Sequence, residues 1–168
     1  MNTFSRVARL ATAPAFALCL LAVASPVALA QKAAKLAWGP APAVFPRGAR
    51  MAVVSGDPGK AGPFTVQLSM PNGYRIPPHW HPSDEHVVVK TGILLVGMGD
   101  TMNKASMKKA MRLKKGESGD VKANMRHFAM MRGHTLIEVS SQGPFVLTNV
   151  NAADDPQKRT MAKGKVKG

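Results

Sequence analysis

Cysteine is almost absent: the one thiol among 168 residues is Cys19, and it stands in a leader-like segment. The rest of the chain can therefore form neither disulfides nor thiolate metal sites. Acidic residues are scarce, nine against 23 Lys and Arg, and aromatic residues make up 5% of the chain. The shortage of rings bears on the basic excess, because proteins that hold single-stranded nucleic acid place stacking aromatics among their cations. No such interleaving occurs here, so nucleic acid is not an expected partner. Long apolar runs are missing too, and the best of them, Ala15 to Val23, is shorter than a bilayer crossing needs.

That run belongs to a segment that reads as a secretory signal peptide, residues 1 to 30. Arg6 and Arg9 precede the apolar core, Pro26 breaks it, and Ala28-Leu29-Ala30 closes on small residues, the order a signal peptidase substrate requires. Lipid attachment at Cys19 would need a small residue before it, and Leu18 is not small. The expected product is a secreted, periplasmic protein without a transmembrane span. Removing 30 of 168 residues leaves 138, enough for one domain.

Two of the basic residues and none of the acidic ones lie in the leader, so the remainder carries a net +12. Lys104, Lys108, Lys109, Arg112, Lys114 and Lys115 form one cluster, and Lys158, Arg159, Lys163, Lys165 and Lys167 a second. Such clusters are ordinarily a solvated face and a tail, residues 151 to 168 here. Attraction to an anionic surface or an acidic substrate is the functional counterpart.

Residues 31 to 50 mix Pro40, Pro42, Pro46, Gly39 and Gly48 with scattered apolar positions, which reads as an extended arm with short edge pairing at most. Phe64 to Met70 alternates apolar with polar, the pattern of a half-buried strand. Val87 to Lys90, Ile93 to Met98, Val121 to Met131, Thr135 to Ser140 and Phe145 to Val150 read as further strands. Thr91-Gly92, Arg132-Gly133-His134 and Gln142-Gly143-Pro144 read as turns between them. Residues 102 to 111 fit a helical turn or a loop. Short strands punctuated by Gly and Pro predict an all-β barrel or sandwich over residues 51 to 150.

The most informative stretch runs Gly73, five residues, His79, one residue, His81, three residues, Glu85, six residues, Gly92. Alternate strand residues share a face, and 79, 81 and 85 have the same parity, so two imidazoles and a carboxylate can converge on one ion. These are ligand types that borderline divalent metals accept. His86 has the opposite parity and should face away, as should Trp80. His134 falls in an expected turn, exposed.

This stretch resembles the first motif of the cupin superfamily at every defining position. Gly116, five residues, Lys122, one residue, Asn124, two residues, His127, three residues, Met131 is similar to the second motif, with Lys122 for its proline, Asn124 for its turn glycine and Met131 for its asparagine. Asparagine tolerates a left-handed backbone, and Met131 should point into the barrel. The resemblance covers roughly residues 64 to 150. It implies an all-β double-stranded β-helix, or jelly-roll, barrel with the arm at its N-terminus, and it implies His79, His81, Glu85 and His127 as ligands of one divalent transition metal ion, Fe, Mn, Cu, Ni or Zn. Met70, Met125, Ala129 and Met131 are expected to line the pocket, with Phe128 nearby. Tyr74, Glu117 and Asp120 are the other acid or base groups near the motifs, each more simply structural.

Such a barrel implies a metal-dependent enzyme acting on a small organic substrate, with dioxygenase-type oxidation ahead of isomerase, lyase or decarboxylase chemistry because general bases are scarce. The alternative is a non-catalytic metal- or ligand-binding protein, for example one handling copper through Met125 and Met131. Cupins of this size often pair as homodimers, and the arm could add a strand to a partner.

Overall fold

The computed structural model describes residues 35 to 158. The expected signal peptide and the end of the basic tail lie outside the described residues. Among the described residues no helix is long and apolar enough to cross a membrane.

Among the described residues nine strands, one short α-helix and a closing 3-10 turn follow in the order β1 (Gly39–Pro40), β2 (Arg50–Ser55), β3 (Gly62–Met70), β4 (Arg75–Trp80), β5 (Glu85–Met98), α1 (Lys104–Lys108), β6 (Met111–Lys114), β7 (Ser118–Val121), β8 (His127–Gly143), β9 (Thr148–Asn149) and the 3-10 turn Ala152–Asp154. All pairings are antiparallel, and they join the strands into one curled sheet. The curl comes from two long strands. β5 and β8 pair from Glu85↔Ser141 to Met98↔His127, while each half of the pair has different outer neighbours. The Glu85 end is flanked by β3 and β7, the Met98 end by β4 and β6. The barrel and jelly-roll expectation is met.

The alternation of β3 is met as well, with Phe64, Val66, Leu68 and Met70 all buried. These face Val87, Val89, Ile137 and Val139 from the same half, and Ile76, Leu94, Val96, Ala129, Met131 and Leu113 from the other, in a single core cluster. Each of these side chains other than that of Ala129 contributes roughly 1.5 to 3 kcal/mol on burial. The arm does more than pair at an edge. β1 meets β2 at Gly39↔Met51 and Pro40↔Arg50, but Phe45 and Ala49 are buried in the core, and Phe45 stacks on Phe145.

Two expected turns are corrected. Thr91-Gly92 and Arg132-Gly133-His134 do not separate strands; they crease β5 and β8, whose register slips between Val89 and Thr91 and again between Thr91 and Ile93. Both signals contained a glycine with positive φ, 75° at Gly92 and 74° at Gly133, which a bulge uses as readily as a turn. Gln142-Gly143 likewise ends β8 instead of preceding a long strand, and only Thr148–Asn149 is β beyond it. The undecided 102 to 111 segment contains α1, capped by Asn103, whose side chain accepts from Ala105 and Ser106 backbone N–H at 2.9 and 3.0 Å.

The crease makes a prediction. A Cβ at Gly92 would meet Thr135 Oγ1 at 2.5 Å and the His134 carbonyl at 2.6 Å, whereas one at Gly133 meets nothing within 4 Å. Gly133→Ala should cost about 1 to 2 kcal/mol, the left-handed penalty alone. Gly92→Ala should cost at least about 2 kcal/mol more, because rigid backbone must also move. Urea unfolding midpoints of the two variants check the difference, and equal midpoints would remove the steric argument.

Candidate metal centre

Four motif side chains arrive from four places in the fold. His79 lies on β4 beside His127, the first residue of β8, as its cross-strand partner. His81 follows β4 directly, and Glu85 opens β5 after the chain turns through Pro82, Ser83 and Asp84. The shared parity of 79, 81 and 85 therefore does not place them on one strand; the turn brings Glu85 back beside His81. In that turn Asp84 accepts from the Ala123 backbone N–H at 2.8 Å and from Lys122 Nζ at 2.8 Å, which ties the first motif to the second. Lys122, the substitution for a proline, thus has a partner. Asn124 adopts φ 63°, as its tolerance for that region predicted.

All three imidazoles are buried, with 3 to 4% exposure. Each donates its Nδ1–H to a backbone carbonyl: His79 to Pro77 at 2.7 Å, His81 to Val146 at 2.8 Å and His127 to Met125 at 3.0 Å. A carbonyl can only accept, so the Nδ1 proton is fixed and the Nε2 lone pair of each neutral ring is left facing inward. Against these lone pairs stands the carboxylate of Glu85, Oε2 lying 3.3 Å from His81 Nε2 and 3.5 Å from His127 Nε2. Lone pairs facing an anion repel unless a cation lies between them. Bonds of about 2.1 Å to a shared ion hold donors about 3.0 to 3.4 Å apart, so these separations fit two ligands of one metal. The candidate nitrogens of His79, His81 and His127 all lie within 4.8 Å of one another and could hold a metal ion.

Ionisation follows the same geometry. Burial, reinforced by the neighbouring rings of His127 and His81, pushes the pKa of His79 down to about 3, so it is a neutral ligand across the physiological range. Burial also acts against charge on His81, but the Glu85 carboxylate outweighs it and raises its pKa. Burial disfavours the Glu85 carboxylate in turn, but the His127 and His81 side chains beside it outweigh that and hold its pKa below the usual carboxylate range. Without an ion, a proton on His81 supplies the missing positive charge.

The site opens on a cavity of about 50 Å³, room for a few water-sized guests. Ala129 and Met131 line it, with Leu94, Val96 and Phe145. Met70 is buried but belongs to the surrounding core and is not in the lining. Met125 is a correction. It is 44% exposed and outside the lining, because only its carbonyl, holding His127, faces the site. The thioether pair of Met125 and Met131 that motivated copper handling is therefore not gathered at the ion position. His86 pairs with Asp120 at 2.6 Å on the surface, and His134 is exposed beside Ser69, both as expected. Tyr74 binds the Pro46 carbonyl and Glu117 accepts from the Lys114 N–H, so neither reaches the cavity. Sequence reading missed Phe145, whose ring lies 4.8 Å from that of His81, and the Val146 carbonyl. Both come from a segment 65 residues away from His81 and carry no local signal.

Compared by sequence, the chain matches no family model and no curated protein. Compared by structure, it is similar to a putative acetylacetone dioxygenase from Methylibium petroleiphilum, at 24% identity over 72% of this chain and 79% of that one, with a TM-score of 0.54. It is also similar to the polyketide cyclase RemF from Streptomyces resistomycificus, at 16% identity over 67% and 78% of the two chains, TM-score 0.52. An RmlC-like cupin from Shewanella frigidimarina aligns at 16% identity over 56% of this chain and 76% of its own, TM-score 0.47.

One divalent transition ion per chain is the expected stoichiometry, read by elemental analysis. His79→Ala and His127→Ala should each lower affinity by more than the roughly 10- to 100-fold that loss of an outer hydrogen-bond partner costs. The pH dependence has a definite sign. A His81 pKa raised above its ordinary value means that its proton competes with the ion at and below pH 6.5, so affinity should fall toward about tenfold per unit as pH drops through the acid range. An affinity unchanged between pH 8 and pH 5 would contradict a shared ion at His81.

Proposed function

Taking this chain as a cupin by fold, we propose that it is an exported, periplasmic metal-dependent enzyme acting on a small organic substrate, with dioxygenase-type oxidation favoured over isomerase, lyase or decarboxylase chemistry. The observation that carries the proposal is a contrast within one cavity. Among the described residues, His79, His81, Glu85 and His127 are the only ionisable ones in its lining, and the rest are aliphatic, aromatic, Met or Pro. Isomerisation and elimination ask for a positioned general base at the substrate, and here every candidate is committed to the ion position. Three imidazoles and one carboxylate leave one or two positions of a five- or six-coordinate ion open. A redox-active ion held there would supply electron exchange between an organic substrate and dioxygen.

The chain's own residues have separate tasks in this reading. The carbonyls of Pro77, Val146 and Met125 orient the imidazoles. Glu85 offsets one of the two positive charges and is held ionised at any working pH. Phe145 packs against the His81 ring, and Met131, buried to 1% exposure, keeps bulk water from the reacting atoms. The name of the Methylibium neighbour, a putative acetylacetone dioxygenase, accords with the proposal at the level of reaction class. Export is supported by the charge, core and small-residue order of residues 1 to 30. A homodimer is part of the proposal too, supported by Val53 and Val54, 42% exposed on β2, whose outer edge β1 covers only at Arg50 and Met51.

Protein loaded in turn with iron, manganese and copper should consume dioxygen with phenolic or enolic substrates, and Glu85→Gln should lower the rate at least tenfold with the metal retained. A chain that binds these metals and stays inert with every one of them would leave a metal-binding cupin without oxidase activity.

A further inference from the structure

A second recess lies outside the metal cavity, between α1 and the C-terminal end of β5. It measures about 630 Å³, within the usual range for small-molecule sites, and its lining includes Val96, Met98, Met111, Asp100, Ser106 and Lys109. Its position follows from strand geometry. Leu94 and Val96 line the metal cavity, Val96 and Met98 line the recess, and alternate residues of one strand share a face. The two spaces are thus successive stretches of a single strand face, divided by Val96, which is 6% exposed. Met98 is the cross-strand partner of His127 and Met111 that of Val96. The recess therefore begins beside one of the site imidazoles.

Its chemistry is uneven. Met98 and Met111 are 45% and 43% exposed, an unusual outlay of large apolar groups that a soft ligand surface would use. The polar groups of the α1 cap are satisfied among themselves, Asn103 with Ala105 and Ser106, and Asp100 is paired with Arg126. Lys109 is different: the lysine ion pairs of the described residues belong to Lys60, Lys90 and Lys122. It is thus the uncompensated charge in the recess, and Lys104 and Lys108 stand on the same short helix.

We infer that this recess is the entrance to the metal cavity and that it selects small anionic ligands, carboxylates or enolates carrying a short apolar portion. The inference rests on the metal reading of the site and names the ligand class that the reading leaves open. The apolar portion lies on Met98 and Met111, the anionic end is drawn in past Lys109, and Val96 is the constriction it crosses. Charge favours the same class at both ends of the path. A divalent ion with three neutral imidazoles and one carboxylate retains a net positive charge, which a monoanion neutralises and a neutral isostere does not. The cavity's small volume fits this division, since it admits the reacting end of a ligand while the remainder occupies the recess.

The test uses the full chain loaded with cobalt(II), whose visible spectrum reports ligands entering the open positions, and the isosteric probes propionate and propionamide. Propionate should perturb the spectrum at much lower concentration than propionamide. Lys109→Glu should slow propionate binding about tenfold or more at low ionic strength, with the effect largely lost in 0.5 M salt and propionamide unaffected. Met98→Trp fills the recess from an exposed position and should slow both probes, and Val96→Ala should speed both. Propionate binding that ignores Lys109→Glu and Met98→Trp overturns the entrance, as does an unaltered protein whose cobalt spectrum propionate does not change. A chain that takes up no cobalt overturns the metal reading itself.

Discussion

A mostly buried carboxylate set against the imidazoles of His81 and His127, whose protons point the other way, is the constraint on which this molecule turns. Glu85 brings negative charge into a lining that is otherwise hydrocarbon, where an unpaired anion is costly. The carbonyls behind His79, His81 and His127 turn lone pairs, not protons, toward it. Such an arrangement is stable only with positive charge at the centre. A proton on His81 meets that need weakly, serving one oxygen and one ring. A divalent ion, which His79, His81 and His127 could hold, would meet it without any change in the tautomers the backbone imposes. The binding preference is therefore written into the main chain as much as into the side chains.

The sheet supplies the geometry. Because β5 and β8 pair along their whole length and crease together, the start of β8 is carried to β4, where His127 meets His79. Thr135, fully buried at the crease, has the carbonyls of Gly133, Ile93 and Arg132 at 3.2, 3.3 and 3.5 Å as alternative acceptors for its single hydroxyl proton. A polar residue at that depth is tolerable only with such partners. The crease thus serves the site at a distance: it sets the direction from which β8 arrives.

Much of this was legible beforehand, and the exceptions have common causes. The buried grouping of His79, His81 and His127, the burial of Met131 and the left-handed Asn124 followed from motif spacing and residue conformational preference, which are local properties. The grouping of Glu85 with the histidines was read correctly for an incomplete reason, since parity along one strand was assumed where the chain turns at residues 82 to 84. Gly92 and Gly133 announced unusual backbone, but only the partner strand decides between a turn and a bulge. Met125 was placed inside because the residues around it were treated as strand, whereas β8 begins at His127. Phe145, Val146 and the burial of Phe45 depend on pairings across tens to a hundred residues, for which a single sequence holds no periodic signal.

The separation of charges explains why the basic excess need not interfere with the site. The cations of residues 104 to 115 are carried by α1, β6 and the turn beyond it, on the outside, while the cavity holds only the four site groups. A cation inside would compete with an ion for Glu85; a cation in the recess lining, as Lys109 is, raises the local concentration of anions within a Debye length of about 8 Å without touching the site's ligands. Attraction and binding are thereby given to different parts of one strand face, with Val96 between them. A nucleic-acid role would ask for those same cations along a continuous groove with stacking rings, and the lining of the recess beside them has no aromatic residue. Scarcity of aromatic and acidic residues, which first argued against several functions, is thus consistent with a barrel that confines its one essential carboxylate to the interior and leaves an entrance of positive potential.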